Sequence, residues 1–329
     1  MSVLKHLEQP PTLADIRKTR EAIAPMIHRT PVMTCAGLDA LSGKHLFFKC
    51  ENFQKVGAFK MRGAASAARR LSPQETARGL ATHSSGNHAQ AVARAAQLLG
   101  VPAYIVMPAG APDIKKRATR SYGAEIILCG NTVKDREDTL EEVVDRTGAT
   151  FIHPYNNYDV IAGQATAALE LIEDAGPFDT LIAPVGGGGL MSGTALTCRA
   201  LLPGAKVLGA EPAAVDDAFR SMRSGKIEGN EHTETVADGL RTTLGPKTFG
   251  IIREQVDEIL TVSERQIVEA MRLVWERMKI IIEPSCAVPL AAVMAHPDRL
   301  AGERIGIILT GGNVDLDRLP FADYPPEGL

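Results

Sequence analysis

The sequence from residue 180 to residue 202 reads TLIAPVGGGGLMSGTALTCRALL, and the rest of the chain follows the same plan. The apolar run 180–185 has the length of a buried strand, and the run 190–202 has the length of a helix. Four glycines, Gly186 to Gly189, join them. Consecutive glycines are costly in conformational entropy, so we expect this loop to need bare backbone N–H groups. At a helix N-terminus such groups favour an anion, and the loop predicts a phosphate site.

The glycine run differs from the two common nucleotide-binding loops. Met191 and Ser192 stand where GxGxxG requires its last glycine, and the run lacks the lysine of GxxxxGK[ST]. A single terminal phosphate therefore fits the loop better than a dinucleotide or a nucleoside triphosphate. The alternative is a flexible connection without a ligand.

Strands and helices alternate on both sides of this unit. The pattern predicts further strands at 45–50, 80–83, 103–107, 125–128, 150–153, 206–210 and 304–309. It predicts further helices at 13–27, 64–71, 89–99, 114–122, 133–147, 160–175, 216–224, 263–278 and 286–296. Such alternation indicates right-handed βαβ units and an α/β fold in which helices flank parallel sheets.

The chain length of 329 residues favours two domains over one. The segment 155–158 is the best candidate for the return from a small inserted domain to a larger one. We therefore predict a small domain at 78–153 and a large domain, which carries the phosphate site, at 1–77 and 154–329.

Composition excludes several classes of protein. Hydrophobic residues at 45% and charged residues at 23% are typical of an ordinary soluble globular protein. The net charge of -3 gives no indication of binding to nucleic acid or to an anionic membrane. The five cysteines are far apart, which argues against a disulfide framework or a zinc site. Residues 1–9 do not resemble a signal peptide, and no apolar run is long enough to cross a bilayer. A cytoplasmic protein is expected.

A second candidate site residue is Lys60, within the sequence GAFKMRG at 57–63. The flanking glycines let the backbone turn sharply or approach a ligand closely. Phe59 and Met61 screen the amine from water, and desolvation lowers its pKa toward the neutral nucleophile that Schiff-base chemistry needs. The alternative is a surface lysine on the first turn of the next helix, which the other loops of the chain make less favourable.

The segment SSGNH, residues 84–88, also lies between a strand and a helix. Its hydroxyls, amide and N–H groups suit a substrate carboxylate, so the predicted substrate contacts are Ser84, Ser85, Gly86, Asn87 and His88. Asn87 can also donate to a phenolic or carbonyl oxygen. The alternative is an ordinary N-cap, and a histidine such as His88 is by itself more often structural than catalytic.

A third loop, TGGN at 310–313, follows the last predicted strand. It would place the hydroxyl of Thr310 at the carboxyl edge of a parallel sheet, where such folds bind ligands. The alternative is a tight turn with no ligand.

These motifs, with NFQ at 52–54, stand in the order found in one family. The chain resembles the fold-type II pyridoxal-phosphate enzymes, which are tryptophan synthase β-like, and within them the serine/threonine dehydratase, serine racemase and threo-3-hydroxyaspartate dehydratase group. The resemblance implies that Lys60 binds the cofactor covalently and that Phe59 lies against its ring. It also implies that Asn87 faces the phenolic oxygen, that Gly186 to Gly189 hold the phosphate, and that Thr310 meets the ring nitrogen.

The resemblance implies further roles. Ser85 matches the serine that acts as acid or base on the opposite face of the cofactor in racemases, which makes racemisation available as a side activity. Glu211, the carbonyl of Val215 and Asp217 match the ligands of Mg²⁺ or a relative such as Mn²⁺ or Ca²⁺, and clustered oxygens suit such hard cations. The alternative for these acids is a solvated helix N-terminus. A homodimer is the family's usual state.

The substrate is predicted from 275–289, which looks closest to the hydroxyaspartate dehydratases. The expected reaction converts 3-hydroxyaspartate to oxaloacetate and ammonia by α,β-elimination. A neutral partner such as Thr310 leaves the ring a milder electron sink, which suits rapid loss of a β-hydroxyl. The second carboxylate requires a cation, for which Arg136 and Arg241 are candidates. The chain ends soon after residue 313, so we expect no regulatory domain and a catabolic role.

Other functions remain open at this point. The same motifs suit serine or threonine dehydration and serine racemisation. A function of a different class is a non-catalytic protein that binds a phosphorylated metabolite, with Lys60 as a simple phosphate contact.

Overall fold

A computed structural model describes residues 4–325. The predictions for residues 1–3 and 326–329, which include the start of the segment considered as a signal peptide and both ends of the predicted large domain, lie outside the described residues. The strands are β1 (Val32–Met33), β2 (His45–Cys50), β3 (Leu80–His83), β4 (Ala103–Pro108), β5 (Glu125–Cys129), β6 (Thr150–Phe151), β7 (Thr180–Pro184), β8 (Lys206–Pro212), β9 (Glu258–Val262) and β10 (Arg304–Leu309).

The α-helices are α1 (Leu13–Ile23), α2 (Ala36–Ser42), α3 (Lys60–Ala68), α4 (Pro73–Arg78), α5 (Asn87–Leu99), α6 (Asp113–Arg120), α7 (Val133–Thr147), α8 (Tyr158–Ala175), α9 (Gly189–Leu201), α10 (Asp217–Ser224), α11 (Pro246–Gln255), α12 (Glu264–Leu273) and α13 (Pro284–Ala295). Within residues 4–325, no helix combines the length and the apolar character that a membrane span requires.

The strands form two separate sheets. The six-stranded sheet has the order β1-β2-β10-β7-β8-β9, and the four-stranded sheet has the order β5-β4-β3-β6. All neighbouring strands are parallel except β1 and β2. The prediction of an α/β fold with parallel-rich sheets is confirmed. The four-stranded sheet takes its strands from a single interval of the chain, between β2 and β7.

Helices cover both faces of the larger sheet. Ile307 of β10 packs in a cluster with residues of α12 and α13, and its neighbour Ile308 packs in a second cluster with residues of α8 and α9. Successive side chains of a strand point to opposite faces of the sheet, so the side chains on both faces of β10 are buried. This explains why the central strands are continuous apolar runs in the sequence.

Local signals fix several helix ends. Ser263 accepts from the N–H of Gln266, whose side chain bonds back to Ser263, so the predicted capping box is confirmed. Thr132 caps α7 in the same way. Gly148 ends α7 in the left-handed conformation, with φ 68°, which glycine adopts without strain. The predicted helix 133–147 is therefore confirmed at both ends.

The predictions are wrong at other helix ends. Helix α1 ends at Ile23 rather than at residue 27, because Pro25 lacks an N–H and its ring crowds the preceding turn. Helix α12 ends at Leu273, and the π-helical turn Val274–Met278 replaces its predicted last turn. Helix α3 begins at Lys60, four residues before its predicted start.

Five short elements were not predicted: β1, α2, α4, α11 and β9. Helices α4 and α11 both begin with a proline at the first helical position, which is a favourable start but reads in the sequence as a break. They are also short, so their apolar periodicity is weak. Helix α11 matters for the site because it packs against α9.

Candidate active site

The lysine segment is joined to the loop that follows β10. The N–H of Phe59 donates to the carbonyl oxygen of Thr310 at 2.9 Å, and the N–H of Gly312 donates to the carbonyl oxygen of Gly57 at 3.0 Å. Two motifs about 250 residues apart in sequence therefore lie side by side at the carboxyl edge of the larger sheet, where parallel sheets bind ligands. Thr310 itself is buried, with 3% of its surface exposed.

The backbone before Lys60 is strained. Val56 has φ 59°, a left-handed conformation that a β-branched residue rarely adopts. The side-chain nitrogen of Asn313 donates to the carbonyl oxygen of Val56 at 2.8 Å and holds this turn. Such strain costs of order 1–3 kcal/mol and is typical of functional sites, where the surroundings enforce it.

Lys60 is the first residue of α3, but it is not a surface lysine. Its Nζ donates to the carbonyl oxygen of Pro154 at 2.9 Å and lies 5.2 Å from the centre of the Phe59 ring. Burial lowers the pKa of Lys60 to about 8, and the charge of Glu283 opposes this shift. A neutral, nucleophilic amine is therefore accessible near physiological pH.

Asn87, the first residue of α5, is held in one orientation. Its Nδ2 donates to both carboxylate oxygens of Glu283, at 2.9 and 3.1 Å, and its Oδ1 accepts from Asn313 at 2.8 Å. Burial and the charge of Asp238 raise the pKa of Glu283 to about 7, while the bond from Asn87 lowers it. These contacts bring a third predicted loop, 84–88, to the lysine and the loop 310–313.

The other polar residues of the loop 84–88 differ in burial and in hydrogen bonding. Ser84 Oγ accepts from the N–H of Gly86 at 3.2 Å, and Ser85 is half-buried. His88 is 3% exposed, and its Nε2 bonds to the carbonyl oxygen of Ile152 at 2.9 Å. Burial holds the pKa of His88 well below its usual range, so the ring is neutral. These contacts favour a structural role for His88 over the predicted substrate contact.

The glycine loop presents unused N–H groups. Within residues 4–325, no backbone carbonyl accepts a hydrogen bond from the N–H groups of Gly186, Gly187, Gly188 or Gly189. Helix α9 begins at Gly189, so its dipole points to the same place. Buried N–H groups rarely go without a partner, and a phosphate supplies the acceptors they need. The loop therefore fits the phosphate of the cofactor that the resemblance implies.

Close packing explains why these residues are glycines. A Cβ on Gly187 would lie 2.2 Å from Cδ1 of Tyr155, and one on Gly189 would lie 3.0 Å from Cβ of Tyr155. Tyr155 directly follows Pro154, the acceptor for Lys60, so one short segment contacts both the lysine and the glycine loop. The sequence offered no local signal for this role of Tyr155 or Pro154, because each contact joins residues far apart in the chain.

We expect Gly187→Ala to destabilise the protein by about 1–3 kcal/mol, the usual cost of overpacking. The added methyl group would meet the body of the Tyr155 ring rather than a flexible end. Gly250→Ala is the matched control, since no atom lies within 4 Å of its new Cβ; in the middle of α11 it is expected to stabilise by about 0.5–1 kcal/mol. Urea unfolding of both variants measures this. Equal stabilities would contradict the packing role.

Glu283 is a site residue that the sequence did not indicate, apart from its place within the segment 275–289. Glutamate is not among the residues favoured at an N-cap, yet Glu283 occupies that position at α13 and makes no capping hydrogen bond. Its side chain instead faces Asn87 and the charge of Lys60. No spacing pattern in the sequence could have indicated that contact.

The predicted metal ligands Glu211 and Asp217 are both buried and close together. Burial raises the pKa of Glu211 to about 9, to which the charge of Asp217 adds, and burial raises the pKa of Asp217 to about 6. Val215 lies between them, at the end of a 3-10 turn. Glu211 accepts from the N–H groups of Ala218 and Phe219 at 3.2 and 2.5 Å.

A divalent cation would stabilise the charged forms of two buried carboxylates whose pKa values are raised. Within residues 4–325, no group of three or more His, Cys, Asp or Glu side chains is arranged to hold a metal. Glu211 and Asp217 thus offer two carboxylates, and a cation bound there would take its other ligands from carbonyl or water oxygens.

The two candidate arginines differ in position. Arg136 lies in α7, close enough to His83 for its charge to lower the pKa of that histidine, after the larger effect of burial. His83 ends β3 directly before Ser84. Arg241 is exposed, and its Nη2 donates to the carbonyl oxygen of Thr235 at 2.9 Å. Of the two arginines, Arg136 is thus the one whose charge acts on the residue that precedes the loop 84–88.

Comparison with known proteins is consistent with this geometry. The chain is 48% identical to the beta-hydroxyaspartate dehydratase of Paracoccus denitrificans, over 94% of this chain and 99% of that protein. It is 47% identical to the L-threo-3-hydroxyaspartate ammonia-lyase of Saccharomyces cerevisiae, over 94% of this chain and 95% of that protein. The crystal structure of serine racemase from Dictyostelium discoideum superposes with a TM-score of 0.89, at 48% identity, over 93% of this chain and 99% of that one.

The profile of one protein family, described as pyridoxal-phosphate dependent enzyme, matches residues 23–311. That range contains the segment 57–63, the loop 84–88, the glycine loop beside Tyr155 and the first two residues of the loop 310–313. The match covers most of the chain, and the predicted recognition of the fold-type II group is confirmed. The chain belongs to the family of pyridoxal-phosphate dependent enzymes.

Proposed function

We propose that this chain is an ammonia-lyase that dehydrates 3-hydroxyaspartate to oxaloacetate and ammonia. The observation that carries the proposal is the half-buried amine of Lys60, whose pKa is about 8, at the place where the segments 57–63, 84–88 and 310–313 meet. The similarity to the Paracoccus denitrificans and Saccharomyces cerevisiae enzymes supports the choice of substrate.

The residues that would hold pyridoxal phosphate follow from the contacts above. Lys60 would bind it covalently, with Phe59 against the ring. The N–H groups of Gly186, Gly187, Gly188 and Gly189 would hold the phosphate. Asn87 would face the phenolic oxygen and Thr310 the ring nitrogen. When bound, the cofactor withdraws electrons from the substrate Cα and makes its C–H bond acidic.

The chain's own groups would then move the protons. Once the substrate amine has displaced it, the neutral amine of Lys60 takes the proton from Cα. The protonated lysine can return a proton to the departing β-hydroxyl, which leaves as water. The unsaturated amine that results takes up water and loses ammonia, which gives oxaloacetate. The low pKa of Lys60 serves both steps, because the group must accept and donate at the same pH.

Serine racemisation is the second candidate, and the position of Ser85 supports it. Ser85 lies in the loop that begins α5, next to Asn87, and would act as acid or base on the face opposite Lys60. The superposition on a serine racemase is consistent with this role. Steady-state assays decide between the two candidate functions. We expect kcat/KM for one isomer of 3-hydroxyaspartate to exceed the values for serine and threonine. A higher value for serine or threonine would contradict the proposed substrate.

Arg136 is the proposed partner of the second carboxylate. The Nε of Arg136 donates to the carbonyl oxygen of Thr132. Within residues 4–325, its two terminal guanidinium nitrogens have no hydrogen-bond acceptor, so they are available to a ligand. We expect Arg136→Met to lower kcat/KM for 3-hydroxyaspartate about 10- to 100-fold, the value of one charged hydrogen bond, and to leave serine turnover unchanged. Arg241→Met is the matched control, with no expected effect. Equal losses for both substrates would contradict this role.

Glu211, Asp217 and the carbonyl of Val215 are the proposed ligands of Mg²⁺ or a related cation. Saturating cation, at about 100 times its Kd, is expected to stabilise the folded protein by about 2.7 kcal/mol. Glu211→Gln should abolish the thermal shift with Mg²⁺, Mn²⁺ or Ca²⁺, whereas Glu231→Gln, a change at an exposed acid, should keep it. A full shift in the Glu211 variant would show that the cation binds elsewhere.

The remaining proposals concern organisation. The two sheets are proposed as the cores of a large domain, at 1–77 and 154–329, and a small domain, at 78–153. A homodimer is proposed because two large apolar side chains, Phe53 and Ile281, are 45% and 50% exposed on segments that contact each other. Asn52 joins their segments by donating to the carbonyl oxygen of Ile281 at 3.1 Å. A cytoplasmic location is proposed because the five cysteines are unpaired.

A further inference from the structure

We propose that Thr248 is a positioning residue for the phosphate cradle, because its hydroxyl sets the direction in which the N–H of Gly188 points. The inference rests on the proposed function in that it takes the ligand of the glycine loop to be the cofactor phosphate. Thr248 lies in the first turn of α11, an element that none of the predicted motifs includes.

The side-chain hydroxyl of Thr248 is buried and has partners both as a donor and as an acceptor. The side chain is 0% exposed, and its Oγ1 donates to the carbonyl oxygen of Gly187 at 2.8 Å. The carbonyl oxygen of Gly245 is also within reach, at 3.0 Å, and the N–H of Gly245 donates to Oγ1 at 3.0 Å. The hydroxyl has one hydrogen to donate, and we assign it to the carbonyl of Gly187 because that contact is the shorter of the two.

The geometry of the peptide bond carries this contact to the next residue. The carbonyl of Gly187 and the N–H of Gly188 belong to one planar, trans peptide unit, so they point in opposite directions. When Thr248 holds the carbonyl of Gly187, the N–H of Gly188 must point away from α11. A glycine loop has few other restraints on this rotation, because glycine adopts most backbone conformations at little cost.

The surroundings leave one side of the loop for a ligand. On the α11 side, a Cβ on Gly188 would lie within 2.8 Å of Ile252 and Leu244 and 3.0 Å of Thr248, so that side is filled. Within residues 4–325, no backbone carbonyl accepts the N–H of Gly188 on the other side. The donor is thus fixed in direction and free of a partner, as an anion site requires.

A purely structural role for Thr248 makes a different prediction. Thr248 also takes part in the capping box of α11, since Gly245 N–H bonds to its hydroxyl. Loss of a cap lowers the stability of the fold but acts alike on ligands with and without a phosphate. Phosphate-selective loss of binding is therefore the readout that separates positioning from capping.

The test compares binding of pyridoxal phosphate and of pyridoxal, which lacks the phosphate, to the cofactor-free full chain. Thr248→Val keeps the shape and removes the hydroxyl, whereas Thr248→Ser keeps the hydroxyl. Thr194→Val is the matched control, because Thr194 is equally buried and its Oγ1 has no partner within residues 4–325. Both dissociation constants are measured by absorbance titration, and thermal unfolding reports the stability of each variant.

We expect Thr248→Val to bind pyridoxal phosphate about tenfold more weakly, the equivalent of one hydrogen bond to a charged group, and to bind pyridoxal as the unchanged chain does. Thr248→Ser and Thr194→Val should bind both ligands normally. If Thr248→Val does not fold, Thr248→Ala takes its place with the same expectation. Unchanged binding of pyridoxal phosphate, or equal loss for both ligands, overturns the inference. Failure of the unchanged chain to bind pyridoxal phosphate would instead overturn the proposed function.

Discussion

Lys60→Ala is expected to lower turnover of 3-hydroxyaspartate by at least about 10⁴-fold, since it removes both the nucleophile and the general base. No other described lysine has its amine next to Pro154 and the ring of Phe59. The variant should also lose covalent attachment of the cofactor. Ammonia release measures the first effect. Borohydride reduction, followed by mass analysis of the peptide that contains residue 60, measures the second.

Lys55→Ala is the control for this change. Lys55 lies five residues earlier, in the 3-10 turn Lys55–Gly57, and its Nζ donates to the carbonyl oxygen of Pro25 at 3.4 Å, away from Pro154. Its removal should leave turnover and attachment intact. The result would contradict the assignment if borohydride fixed the cofactor to any lysine other than Lys60. A protein that stays colourless with added cofactor would favour the non-catalytic phosphometabolite binder.

The second large effect is expected at Arg62, two residues beyond the proposed nucleophile. Its guanidinium is fully buried and bonds to Glu51 at 2.7 and 2.8 Å and to Glu170 at 2.7 and 3.0 Å. Lys49 also pairs with Glu170, at 2.7 Å. The charges of two cations, Lys49 and Arg62, are thus neutralised by two carboxylates, Glu51 and Glu170, in the protein interior between β2, α3 and α8.

Arg62→Met should destabilise the fold by about 3–5 kcal/mol, because it leaves buried carboxylates without their partner. Arg20→Met, which breaks a partly exposed pair with Glu173, should cost only about 0–1 kcal/mol. Urea unfolding of the cofactor-free proteins compares the two. A similar small loss in both variants would mean that the buried cluster contributes no more than a surface pair.

The local part of this molecule could be predicted from its sequence. Helix α7 has the predicted ends because Thr132 and Gly148 mark them within the chain itself. The glycine loop was predicted as a phosphate site from the strand before it and the helix after it, and the unused N–H groups are consistent with that prediction. In each case the physical cause lies within a few residues of the effect.

Contacts between distant residues could not be predicted in this way. Asn87 and Glu283 are 196 positions apart and meet only because two loops converge on one sheet edge. The left-handed backbone of Val56 depends on Asn313, which is likewise remote, and β-branched residues normally disfavour that conformation. Sequence periodicity carries no information about either pairing, so these parts of the site required the three-dimensional structure.

The strand order of the larger sheet has a consequence for biosynthesis. His45 of β2 pairs with Arg304 of β10, so β2 lacks this inner neighbour until about 260 further residues have been synthesised. At about 5–20 residues per second, that delay is roughly 10–50 s. All strands of the smaller sheet have been synthesised by residue 151, so their pairing is not delayed in this way. We therefore expect the nascent protein to expose an unpaired apolar strand edge until β10 has been made, which is the kind of surface that chaperones bind during translation.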